Sequence, residues 1–123
     1  MFCPVLPGIA DSPEQIENLV ELAVGFKAEE IFAEAVNPRG RGLILTQEAL
    51  KSKGYHFEAA YIESIRYQEN WSWYVVKLIK NMQESVMRKH YDVKKLRFLL
   101  YPGRLGKQNI VQIQQNNEGV IWL

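Results

Sequence analysis

Between Glu34 and Gly42 the chain reads EAVNPRGRG. A carboxylate, Glu34, is followed by an amide, Asn37, and by two guanidinium groups, Arg39 and Arg41. Arginine presents a fixed fork of donors that matches a carboxylate or a phosphate. Glu34 can accept from that fork or from a ligand hydroxyl. Pro38, Gly40 and Gly42 are turn formers, so these groups sit on a loop. The stretch is therefore a candidate for recognising a polar or anionic ligand. The competing reading is a surface loop in which an arginine satisfies Glu34. Pro7 and Gly8 hold the matching place after an earlier apolar run. A glycine there either lets a ligand approach the backbone or simply turns the chain.

Other chemistry finds little support. There is no G-x-G-x-x-G and no G-x-x-x-x-G-K-[ST], so neither nucleotide-binding loop is indicated. His56 and His90 are far apart with no cysteine or further histidine near them, so no metal site is expected. His90 follows Arg88 and Lys89 at a predicted helix end, where positive charge suits the helix dipole. Cys3 has no base in a nucleophile motif and reads as a small buried hydrophobe. Tyr61, Tyr67, Trp71, Trp73 and Tyr74 are interleaved with Arg66, Lys77 and Lys80. Such a pattern can stack on nucleic-acid bases, but the spacing equally describes an amphipathic helix, and packing is the favoured reading.

The elements that must position these groups follow from periodicity and punctuation. Phe2–Leu6 is a short apolar strand, and Pro4 places it at a sheet edge. Ser12, Pro13 and Gln15 open a helix with a capping box, Ile16, Leu19, Val20 and Ala23 form its apolar face, and Gly25 is placed to stop it. Glu30–Val36 is a strand whose Ile31, Ala33 and Ala35 face suits a closely packed helix. Strand, helix, strand makes a parallel βαβ unit with a right-handed crossover. Thr46 caps a short helix, QEALKSK, ending at Gly54. Tyr55 to His90 is helical almost throughout, as two helices meeting near Gln68–Ser72 or one kinked helix, with Asn70 or Ser72 as cap. Leu96–Tyr101, Ile110–Gln114 and Val120–Leu123 are predicted strands, the last two joined by a hairpin-like turn at QNNEG.

The bulk composition sets outer limits. At 123 residues, 47% apolar and 24% charged, the chain is one globular domain. Lysine plus arginine number 15 against 14 acidic residues, a net charge of +1, which gives a nucleic-acid partner no support. A single cysteine cannot form an internal disulfide or a cysteine-rich metal site, and it fits a reducing cytoplasm. No apolar run approaches the ~20 residues of a membrane span, so no membrane partner is expected. MFCPVLPG has no basic segment and is too short for a signal peptide. The apolar start and the stop on Ile121-Trp122-Leu123 suggest a piece of something longer.

Five segments in order, CPVLPGIADSPEQI, EEIFAEAVNPRGRG, NWSWYVVKLI, LRFLLYPGRL and GVIWL, resemble the C-terminal part of a radical SAM protein, nearest to the spore photoproduct lyase-like group. The resemblance spans nearly the whole chain. It implies a partial (β/α) barrel in which CPVLPG and IFAEAVN are late barrel strands. Pro7, Gly8, Glu34, Asn37 and Arg39 would then stand at the rim of the substrate pocket. It also implies S-adenosylmethionine and a 4Fe-4S cluster for a full-length relative. This chain has no CxxxCxxC, so no cofactor is expected for it alone and no autonomous radical chemistry.

The expected fold is α/β. A barrel-like fragment of two parallel βα units covers residues 1–54, a long helical segment 55–92, and a small C-terminal sheet 93–123. Exposed strand edges predict self-association or association with a missing N-terminal half. The alternative is an autonomous binding module that uses the Arg39/Arg41 loop and the aromatic helix for a phosphate or nucleic-acid ligand.

Overall fold

The computed structural model describes residues 1–116 and 119–122. It is an α/β protein with a single four-stranded sheet, all parallel, in the sequential order β1 (Phe2–Val5), β2 (Ile31–Ala35), β3 (Leu96–Leu100) and β4 (Val120–Trp122). The helices are α1 (Pro13–Gly25), α2 (Arg41–Ser52), α3 (His56–Ser64), α4 (Gln68–Arg88) and α5 (Lys107–Asn116).

The sheet is covered on one face. Ile31, Ala33 and Ala35 on β2 and Leu96, Phe98 and Leu100 on β3 are buried, and the residues between them are half-buried. In-register pairing puts Ala33 beside Phe98 and Phe98 beside Val120. Over this row pack Ile16 and Val20 of α1, Val75, Leu78 and Met82 of α4, and Ile113 of α5. Each fully buried side chain of this kind contributes roughly 1.5–3 kcal/mol. The small Ala33 and Ala35 are what let helices come close to β2. The other face carries Cys3, Phe32 beside Arg97, Glu34, and Leu99 beside Ile121, all half-buried or exposed.

Strand β1 is an edge strand, as Pro4 requires, and its pairing slips between Phe2 and Val5. Helix α1 begins as expected, with Ser12 accepting the Gln15 amide at 3.2 Å. It ends at Gly25, as expected, although Lys27 and not the glycine takes the left-handed turn, at φ 53°.

Further expectations are corrected. Helix α2 starts at Arg41, not at Thr46, whose hydroxyl instead donates back to the Gly42 carbonyl inside the helix. The break in the long helical segment falls at Ile65–Tyr67, and neither Asn70 nor Ser72 caps α4. Asn70 donates to the Ser64 carbonyl instead. Ile110–Gln114 is part of α5, not a strand. The C-terminal strands form no separate small sheet, because β3 and β4 extend the same parallel sheet, giving four parallel strands instead of two βα units and a tail. A hairpin is thereby ruled out, since parallel strands need a crossover, and α5 supplies it. Residues 117 and 118 of the expected QNNEG turn, and Leu123, lie outside the described residues.

Candidate ligand-binding site

Because the strands are parallel, their carboxyl ends open on one side of the molecule, and the loops after Val5, Ala35 and Leu100 gather there. The first two turns of α4 tie these loops down. The Trp71 indole N–H donates to the Val36 carbonyl at 2.8 Å. The Tyr74 hydroxyl donates to the Val5 carbonyl. Ser72 Oγ accepts from the Gly106 amide at 2.9 Å and from Asn109 Nδ2 at 2.6 Å. All three α4 side chains are buried. Burial, helped by Asp11 and Tyr61 nearby, pushes the Tyr74 phenol far above its ordinary range, while a backbone hydrogen bond from Val36 works against it. Tyr74 is therefore a fixed donor and not an acid.

Two adjoining clefts lie at this end. One, of about 280 Å³, is lined by Glu34, Ala35, Asn37, Pro38, Arg39, Trp71, Leu99, Tyr101 and Arg104. The other, of about 410 Å³, runs past Cys3, Pro4 and Leu6 to Leu43 and Thr46 and shares Glu34, Asn37 and Arg39. Three of the sequence candidates are thus brought together on the wall between them. Asn37 Oδ1 accepts the Arg39 amide at 2.9 Å, an Asx turn that fixes the loop and commits that oxygen. Arg39 is exposed.

Glu34 does not serve a neighbouring arginine. Its Oε2 accepts the Cys3 thiol at 2.7 Å across the open sheet face. Cys3 is exposed, which corrects its reading as a buried hydrophobe. The hydrogen bond to Glu34, with partial desolvation and the carboxylate charge, pushes the thiol up to about 11. It is a poor nucleophile at neutral pH.

Arg41 stands on the first turn of α2, outside the lining of both clefts. Pro7 and Gly8 are also outside them. Gly8 has φ 76°, and a side chain there would meet Tyr61 Cδ1 at 2.8 Å. Its amide donates to Asp11 Oδ1 at 2.7 Å. Asp11 is buried, with its other oxygen 3.9 Å from Lys77 Nζ. The glycine here serves backbone shape and packing.

The sequence reading missed Arg104 and Tyr101. Both follow the third parallel strand, on YPGR, which repeats the Pro–Arg–Gly theme of NPRG after the second. That parallel was the available signal, hidden by the expectation that β3 began a separate sheet. Arg104 Nη2 is buried and has no hydrogen-bond partner. Among the described residues no three histidine, cysteine or acidic side chains cluster as metal ligands, and no helix is long and apolar enough to cross a membrane.

No family model matches the chain, and no curated protein or solved structure matches it significantly.

Proposed function

We infer that this chain is the substrate-side portion of a (β/α) barrel enzyme of the radical SAM type, resembling the spore photoproduct lyase-like group. The observation that carries the reading is the sheet: four parallel strands in sequential order, with one face buried and the other only half-buried. An open parallel sheet wound in both directions has helices on both faces. Strands in unbroken sequential order, with one face less covered than the other, support a barrel segment. In such barrels the active site lies at the carboxyl ends of the strands, where Glu34, Asn37, Arg39 and Arg104 stand. Phe32, Leu99 and Ile121 would face the barrel interior, covered by an N-terminal half or by a second copy of the chain.

The donor set of this chain does not fit the 4Fe-4S cluster of that family. A cluster needs several thiolates, and the one cysteine is held protonated by Glu34. The chain's own residues would bind and orient a substrate, while the cluster and its chemistry would come from elsewhere. The test is the DNA upstream of the Met1 codon in the source genome. An in-frame or adjacent segment encoding CxxxCxxC supports the reading. Its absence there would remove the radical SAM assignment.

A second reading, a stand-alone ligand-binding module, is favoured by a different observation: Arg39 and Arg104 line one cleft together with Trp71 and Tyr101.

A further inference from the structure

We propose that the cleft at the ends of β2 and β3 is an oxyanion subsite, in which Arg104 takes a carboxylate or phosphate group of the ligand. The inference rests on this cleft being the ligand pocket proposed above, but not on radical chemistry.

Arg104 is half-buried, and its Nη2 is shielded from solvent and makes no hydrogen bond among the described residues. A guanidinium cannot relieve that state by losing its proton. A half-buried guanidinium with one unsatisfied donor gains more from an incoming oxyanion than a fully exposed arginine does, because part of its hydration is already lost. Arg104 is also held in place. It lies in a 3-10 turn, Pro102–Arg104, and just beyond it the Gly106 amide is anchored to Ser72 Oγ. Arg39, which has no ion pair among the described residues, supplies a second guanidinium to the same cleft.

The rest of the lining defines the ligand further. Trp71, Leu99 and Tyr101 offer an apolar and aromatic wall, and Glu34 is the one carboxylate. An anion alone would leave that wall unused, and a second negative charge would meet Glu34. The ligand class is a small molecule with one oxyanion, a flat or apolar body, and a hydroxyl or amine that Glu34 can accept.

The test is a titration of the whole chain with inorganic phosphate and, separately, with acetate, at ionic strength held constant with chloride. The signals are the Trp71 indole N–H and the arginine Nε–H resonances. A saturating shift with either anion, absent with chloride, is expected, and which anion saturates identifies the source group. Arg104→Met should weaken it by about tenfold or more. Arg104→Lys keeps the charge without the fork and should fall between. Arg66→Met, an exposed charge away from the cleft, should leave it unchanged. No saturation with either anion, or a shift that survives both Arg104 variants, would overturn the proposal. Either result leaves the barrel-segment reading to its own genomic test.

Discussion

The indole N–H of Trp71 donates to the carbonyl of Val36 at 2.8 Å, joining residues of α4 and of the loop after β2 that lie 35 positions apart. Val36 has just left β2, so its carbonyl has no strand partner, and the indole satisfies it inside the protein. With Tyr74 on Val5 and Ser72 on Gly106, one stretch of helix holds the ends of three strands. The candidate site is therefore shaped by a helix that the chain reaches only after its first two strands are complete.

Trp71→Phe should preserve most of the packing and leave the Val36 carbonyl buried without a donor. The expected loss is about 1–3 kcal/mol of stability, measured by urea unfolding. A loss below the error of the measurement would show that the indole hydrogen bond does not anchor the strand end.

Glu34→Gln should activate Cys3. A thiol with a pKa of about 11 is only ~0.1% thiolate at pH 8. Removing the carboxylate withdraws the two effects of Glu34 that raise the pKa, so it falls, and the thiolate fraction rises. Iodoacetamide alkylation at pH 8 should speed up by about tenfold or more. An unchanged rate would mean that Glu34 does not control the thiol.

Gly8 and Gly40 both have positive φ, 76° and 107°, but only Gly8 faces a neighbour where a side chain would be. Gly8→Ala adds a collision with Tyr61 to the backbone strain, and should cost roughly 2–4 kcal/mol. Gly40→Ala meets open space and should cost about 1–2 kcal/mol. Thermal unfolding of the pair checks the order, and equal losses would contradict the close approach of Tyr61.

Asp11→Ala leaves the Gly8 amide without its 2.7 Å acceptor, whereas Asp11→Asn keeps an oxygen in the same place. The alanine variant should be less stable than the asparagine variant by about 1 kcal/mol or more. If urea midpoints of the two coincide, the contact does not hold the loop after β1.

The open sheet face predicts association. Sedimentation velocity of the wild-type chain should show an average mass that rises with concentration. Phe32→Glu combined with Ile121→Lys puts charges on that face, away from the core, and should give a monomer with an unchanged circular dichroism spectrum. A wild-type chain that stays monomeric throughout would rule out a second copy as the cover of that face.

Much of the scaffold was legible locally. Ser12 and Pro13 mark the start of α1 because an N-cap hydroxyl and a fixed φ act within one turn. The alternation in Ile31–Ala35 reported the covered face correctly, because a strand with one buried side must alternate. The position of Asn37 and Arg39 just past a strand end was legible in the same way, and both line the cleft there. Ile110–Gln114 misled, because so short a β-branched run fits both periods. Ile113 is buried against the sheet and Ile110 packs beside it, one helical turn apart.

The sequence by itself determined the α/β class, the strand, helix and strand of the first βαβ unit, the amphipathic α4 and the polar loop after β2, all marked by patterns within a few residues. Only the tertiary structure decided that the last strands join the same parallel sheet, that Cys3 and not an arginine engages Glu34, and that Arg104 shares a cleft with Arg39. Each of these depends on pairing between residues distant in the chain. Parallel sheet formation brings such residues together through crossovers, and no local pattern of residue types records which strand will lie beside which.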